Sequence, residues 1–377
     1  MSSKLKIIFY KTGLLWMFIA ACHGSTSGTE PCVQGSNCRL PQCFCLNSSA
    51  PPSGFAAEDI PQIVVFAFDG SVNKASYGYY KHFFSKIYRN PNSCPIRATL
   101  FAKDRYTNHS MVRDLYRHGL EIAGNSLTGK LPISFWREAN REEMLEEILK
   151  NRRRLSEKAG IPLNEIRGWR SPHIQPTGDI QFKILQQNGF EYDSSLYVQR
   201  RSLEDDITWP GTLQHRWPLP CETKPCPSNN YTLWEIPVIA LLDHKQKYPC
   251  MTVGGCIVKP ETESDAFQLL WRNFYNFYRS KKIPFIVNMK PGWLNTDYHN
   301  SALDRFILSL LDLNDVYIVT MHQLVQWMQN PTNLTDIHDF KPWKCPGALG
   351  VGVSVNLNVL SVLGVSVIGY VFVTAWA

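Results

Sequence analysis

Two carboxylates, a guanidinium and an ammonium sit at equivalent places in this chain, each at or just past the end of a short apolar run. Asp69 closes IVVFAFD, Arg170 closes IRGWR, Asp193 closes FEYD and Lys290 follows PFIVNM. Asn125 stands just past a fifth run, Leu120–Ala123. Polar side chains at the C-terminal ends of strands are where α/β folds assemble their sites, so these five are expected to converge. Acids beside a fixed cation can hold or transfer a proton. They can equally form a plain ion pair, and without a metal the ion pair is the favoured reading of Asp69 with Arg170. Lys290 is a fixed cation, with an ordinary pKa near 10.4.

The elements that must position these residues alternate. Apolar runs of strand length occur at 63–68, 97–102, 120–123, 166–170, 190–193, 234–238, 284–289 and 316–320. Helical spacing is read at 77–89, 110–118, 136–158, 180–188, 265–279 and 301–313, with Gly160-Ile161-Pro162 stopping the third. Strands alternating with helices predict a parallel sheet with helices outside. The count suits an α/β, incomplete (β/α) barrel.

In order, the blocks IVVFAFDGSVN, EIAGNSLTG, GWRSP, YDSSL and PFIVNMKPGWL resemble those of the polysaccharide deacetylase (NodB-homology) family, specifically its animal chitin deacetylases. The family blocks read roughly T-F-D-D, H-S-x-T-H, R-x-P, D-S-S and H-x-x-W. The resemblance spans about residues 61–345, extends to the preceding CRLPQCFC, and implies a distorted barrel with a zinc site. It gives Asp69 the place of the general base, Arg170 that of the residue orienting it, Asp193 that of the acid assisting the general-acid His, and Trp293 that of the aromatic beside the acetyl pocket. Arg170, Pro172, Asp193 and Trp293 would border the substrate. The departures are as specific. The three zinc ligands fall on Gly70, Asn125 and Gly129, and the general-acid His falls on Lys290. Glycine cannot ligate, and a neutral amide is a poor zinc ligand beside imidazole. No zinc or other cofactor is expected, and the Lys290 ammonium is expected to pair with Asp69 or Asp193. His173 is the nearest imidazole that could substitute as a ligand, and a rim or core residue is favoured for it. His244 and His215 are weaker candidates.

The ends of the chain point outside the cell. Residues 1–24 carry Lys4, Lys6 and Lys11 and an apolar stretch, which reads as a secretory signal peptide. Its removal lowers the net charge from +7 to +4, too weak a balance to argue for nucleic acid. Cys22 leaves with it, so ten of the 11 cysteines remain, an even number suited to disulfides in an oxidising compartment. Cys32, Cys38, Cys43 and Cys45 cluster in an N-terminal segment, 25–60, with a zinc knuckle as the competing reading. Cys221 with Cys226 and Cys250 with Cys256 could close small loops, and Cys94 with Cys345 would tie the end of the domain, 61–345, to its beginning. Sequons begin at Asn47, Asn108, Asn230 and Asn333. The uncharged apolar tail, 346–377, reads as a glycolipid-anchor signal, with a membrane span as alternative.

Arg152–Arg154 reads as the solvated last turn of a helix, and Trp136, Trp169, Trp217 and Trp234 as core. The functional expectation is a catalytically inactive, monomeric chitin deacetylase-like protein that binds chitin or a related N-acetylglucosamine polymer at the outer face of the plasma membrane, or free after secretion. A working metal-dependent N-deacetylase with relocated ligands and a surface interaction protein without a glycan role are the alternatives.

Overall fold

The structure is a computed structural model that describes residues 30–84 and 88–345. The expected signal peptide with Cys22 and the apolar tail lie outside these. Among the described residues no helix is long and apolar enough to cross a membrane.

The strands are β1 Gln62–Gly70, β2 Ala98–Lys103, β3 Glu121–Ser126, β4 Gly168–Trp169, β5 Tyr192–Asp193, β6 Tyr197–Val198, β7 Gly211–Thr212, β8 Trp234–Glu235, β9 Val238–Ile239, β10 Leu241–Leu242, β11 Pro249–Cys250, β12 Phe285–Met289 and β13 Val316–Ile318. The helices are α1 Lys74–Phe84, α2 His109–Arg117, α3 Ser134–Glu138, α4 Arg141–Leu145, α5 Asn151–Ala159, α6 Asp179–Gln187, α7 Glu263–Arg279, α8 Asp297–Leu311 and α9 Met321–Gln329. The main sheet runs β12-β1-β2-β3-β4-β5-β8-β7. Every pairing in it is parallel except β7 with β8. One edge of β1 is taken by β12. The other is divided, with β13 on Gln62–Val64 and β2 on Phe66–Gly70. The sheet curls without closing, so the fold is the incomplete barrel of the sequence reading.

β1 is buried from Gln62 to Phe68 because helices cover one face and the barrel interior covers the other. Phe66 and Phe68 meet the rings of Phe84, Tyr80 and Phe306 on the helix side. Ala67 and Asp69 alternate to the opposite face, which leaves Asp69 at the inner mouth.

Two local expectations need correction, and one helix is new. The segment 136–158 is not one helix. Ala139 is non-helical, and Asn140 with Glu143 forms a capping box that starts α4 afresh, and a π-turn at Glu146–Lys150 then leads into α5. Arg152 is not solvated: it donates to Asn188 O at 2.6 Å and lies over the Phe190 ring, and Arg154 pairs with Asp104 at 2.9 Å. Only Arg153 of the three is exposed. The helix α9 was not anticipated. Thr320 and Gln323 form its capping box.

Disulfides join Cys32–Cys45, Cys38–Cys43, Cys94–Cys345, Cys221–Cys226 and Cys250–Cys256. The four clustered cysteines are therefore bonded to each other and do not form a zinc knuckle. Their segment docks on β7, where Phe44 O accepts Thr212 N–H at 2.8 Å. Gly211 permits this approach, since a Cβ there would stand 2.6 Å from Phe44 O. Asn47, Asn108 and Asn230 are exposed and Asn333 is half-buried.

Candidate functional site

The curl of the sheet brings β1 and β4, three strands apart, within reach across the barrel mouth. Arg170 Nη1 donates to Asp69 Oδ1 at 3.1 Å. The rest of the guanidinium is used as well. Nε donates to Ser194 O and Nη2 to Ser194 Oγ, and the plane lies 4.2 Å from the Phe101 ring centroid. Arg170 is wholly buried, with its charge distributed over acceptors and an aromatic face. Burial pushes the Asp69 carboxyl up, while Arg170 first, and then Lys290 and His173, pull it down.

Asp193 lies deeper. Its Oδ1 accepts Ser195 N–H at 2.8 Å, and its Oδ2 accepts Gln181 Nε2 and Ser195 Oγ at 2.9 Å each. Register places Glu235 of β8 directly beside it. Burial pushes Asp193 up to about 6, and burial together with the Asp193 charge pushes Glu235 well above the carboxylate range. Two like charges in one buried site cannot both ionise. Glu235 Oε2 receives no donor, which suits a protonated carboxyl that itself donates to Asp193. Both acids are fully buried.

This corrects the expected substrate contacts. Arg170 and Asp193 do not reach the cleft surface, because neighbouring strands consume their polar atoms. The Lys290 expectation is also corrected. Lys290 is exposed, and among the described residues it forms no ion pair with either carboxylate. Arg170 already occupies Asp69, and Asp193 is sealed beneath Ser195, Gln181 and Glu235.

Above the pair opens a cavity of about 750 Å³, lined by Asp69, Gly70, Lys103, Asn125, Gly129, Pro172, His173 and Lys290, with Tyr197 and the 249–257 loop on the far side. The loop therefore walls the cleft and leaves it open. The 125–129 turn is anchored from behind, where the Glu147 carboxylate accepts Thr128 N–H and Oγ–H and Asn151 donates to Ser126 O.

The residues present do not fit a zinc ion. Gly70 and Gly129 have no side chain. The Asn125 amide nitrogen donates to Arg170 O at 2.9 Å, so its side chain is tied to β4. The place beside Gly129 is taken: a Cβ there would meet Lys103 Cδ at 2.5 Å and Nζ at 3.3 Å. A β-bulge between Ala102 and Lys103 accompanies this placement. Among the described residues the single metal-like cluster of His, Cys, Asp or Glu is Cys32, Cys38 and Cys43, all in disulfides.

His173 lines the cavity on a turn with φ of +60°, and burial, Lys290 and Lys103 lower its pKa. His244 Nε2 lies 4.0 Å from Asp265 and His215 approaches Asn37 O. Neither lines the cavity. Trp293 stacks on His299 with centroids 4.1 Å apart and borders an adjoining cavity of about 550 Å³. Trp136, Trp169 and Trp234 are buried, and Trp217 packs, partly buried, against the group of apolar side chains that holds Trp136 and Trp169. The sequence reading missed Lys103, Gln181 and Glu235. Lys103 directly follows the run 97–102, so the strand-end rule applied to the other five would have found it.

No model of a known protein family matches the chain. It is 31% identical over 326 residues to chitin deacetylase 1 of Bombyx mori, covering 83% of this chain and 59% of that protein. It is 31% identical over 318 residues to chitin deacetylase 8 of Bombyx mori, covering 81% of each. A solved structure described as a polysaccharide deacetylase from Mycobacterium smegmatis matches 75% of this chain and 94% of its own, at 19% identity and a TM-score of 0.51, which supports the fold. With 31% identity across 81% of a curated relative and the curled sheet around Asp69 and Arg170, the chain belongs to the polysaccharide deacetylase (NodB-homology) family as an animal chitin deacetylase-like protein.

Proposed function

We propose that this protein is a catalytically inactive chitin deacetylase-like protein that binds chitin or a related N-acetylglucosamine polysaccharide in the cleft above Asp69. One observation carries the reading: the cleft is open while the three family ligand positions, Gly70, Asn125 and Gly129, offer no zinc donor set. A catalytic zinc needs three protein ligands and an open position for water. Without it the base at Asp69 has no activated water to deprotonate, and the Asp69–Arg170 pair is structural. Pro172 in the main cavity and Trp293 in the adjoining one are the family-matched residues left to meet sugar. The five disulfides, the exposed sequons at Asn47, Asn108 and Asn230 and the uncharged apolar tail support a secreted glycoprotein held at the outer face of the plasma membrane.

The test is metal analysis of the protein produced from its full sequence in secreting cells, with a chitin-hexamer titration on the same sample. The expected result is no zinc and saturable binding. About one zinc per chain with acetate release would establish a working deacetylase instead. No saccharide binding at all would leave a surface interaction protein.

A further inference from the structure

The family's metal site is a place for a dication, and in this chain two ammoniums line that place. Lys103 lies across Gly129 from one side, and Lys290 reaches the same cavity from the end of β12. Among the described residues neither has an ion-pair partner. The one acid lining the cavity, Asp69, is already neutralised by Arg170. His173 adds an imidazole to the same wall. Burial, Arg105 and Lys290 depress the Lys103 ammonium, and an anion placed beside it would relieve it.

The positive character continues beyond this cavity. The adjoining one shares Thr252, Gly255 and Lys290 with it, adds Lys259, and among the described residues has no acidic lining residue. The rim of the main cavity is apolar, with Leu131, Ile133 and Ile257 at 74%, 48% and 70% exposure. Lysines spaced along two joined cavities, beneath exposed apolar side chains, suit a linear ligand with anions on one edge and C–H faces on the other. A neutral polymer would leave the ammoniums to water alone.

We infer that the cleft takes an acidic polysaccharide, whose carboxylate or sulfate sits between Lys103 and Lys290 where the family holds zinc. This rests on the proposed polysaccharide reading and narrows its ligand class to chains that carry acid groups. The anion is held by charge-assisted hydrogen bonds, and lysine, as a compact point charge, accepts a carboxylate or a sulfate alike.

The experiment is calorimetric titration of the full-length protein with three oligosaccharides of equal length: a chitin oligomer, a hyaluronan oligomer (glucuronate as the anion) and a chondroitin sulfate oligomer (sulfate added). At low salt the acidic chains are expected to bind at least about tenfold tighter than chitin, and the preference to shrink as salt rises. Lys290→Gln, at an exposed position, is expected to lower the acidic-to-neutral ratio, and Lys103→Gln with Lys290→Gln to abolish it, with melting temperature checked on each. A preference for the sulfated chain identifies sulfate as the anion, and equal binding of both acids identifies the carboxylate. Chitin binding as tight as the acidic chains, unchanged in ratio by the lysine variants, overturns this inference and leaves the polysaccharide reading standing. No binding of any oligosaccharide overturns both.

Discussion

The floor and the wall of the cleft are built on different physical terms. On the floor, Arg170, Ser194, Ser195, Gln181, Asp193 and Glu235 are buried and bonded mainly to one another across β4, β5 and β8. On the wall, Gly70, Asn125, Gly129, Lys103 and Lys290 face the cavity, and of these only Asn125 carries a side-chain hydrogen bond that ties strands together. The floor agrees with the family blocks and the wall departs from them. Removing Arg170 or Asp193 from the floor strands a buried charge or lone pair, which costs several kcal/mol. On the wall Lys290 is exposed and can be exchanged at little cost to the fold, whereas a side chain at Gly70 or Gly129 would meet a backbone with φ of +136° or +63°. The match at Arg170 and Asp193 is therefore explained by stability alone and is weak evidence of chemistry.

The largest effect should come from rebuilding the wall. Gly70→Asp, Asn125→His and Gly129→His supply the ligands of the family pattern, but Gly70 and Gly129 sit at φ of +136° and +63°, and the third also meets Lys103 Cδ at 2.5 Å. The triple variant is expected to bind zinc poorly, and adding Lys103→Ala to raise its zinc content towards about one per chain, with the backbone strain at positions 70 and 129 remaining. Zinc titration decides between them. Full binding by the triple variant alone would show that Lys103 does not block the site.

Next in size is the floor. Arg170→Met removes a buried cation from two Ser194 acceptors and Asp69 and should cost about 3–5 kcal/mol, read as a lowered denaturation midpoint. A loss below about 1 kcal/mol would erase the distinction between floor and wall.

Third, Glu235→Gln removes a titrating group from the floor. A carboxyl with a raised folded pKa holds its proton longer folded than unfolded. Its stabilising contribution is full below the unfolded value, about 4, and is lost as pH rises through the folded value, about 6 for Asp193 and higher for Glu235. Wild-type stability should therefore fall as pH rises from 4 through neutrality. The Gln variant, which can still donate to Asp193, should flatten that fall and gain about 1–2 kcal/mol at pH 8. Melting curves across pH check this, and parallel slopes would mean that the pair does not share a proton.

The sequence carried the long elements and the floor more clearly than the wall. β1, β2, β12, α7 and α8 are long apolar or periodic segments, and periodicity reports them directly. The two-residue strands β6, β7 and β9–β11 are too short for any period to register, and they are fixed by tertiary contacts such as Val238 N–H to Leu196 O. Asp69 and Arg170 could be placed together because their blocks have a fixed order. That Lys103 fills the space of the absent third ligand could not be read, because it depends on a bulge and on the missing side chain of Gly129. The burial of Arg152 was hidden for a similar reason, since its acceptors, Asn188 O and Gly189 O, belong to a turn far along the chain.

Asp69 lies on the boundary between the two regions, and the smallest predicted effect tests to which it belongs. Its side chain is 14% exposed and contributes one hydrogen bond to Arg170. Arg170 keeps Ser194 and the Phe101 ring without it. Asp69→Asn preserves the shape and an acceptor oxygen, so the stability loss should stay near 1 kcal/mol. The same change removes the one carboxylate lining the cavity, and with it the charge that balances Arg170. Binding of an acidic oligosaccharide should then tighten by a few-fold, through long-range attraction from the released guanidinium. A variant that melts several kcal/mol lower would place Asp69 on the floor with Arg170. One that melts almost unchanged and binds the acidic chain more weakly would make the carboxylate a ligand in its own right, and the cleft would then have to be read as selective for hydroxyls over anions.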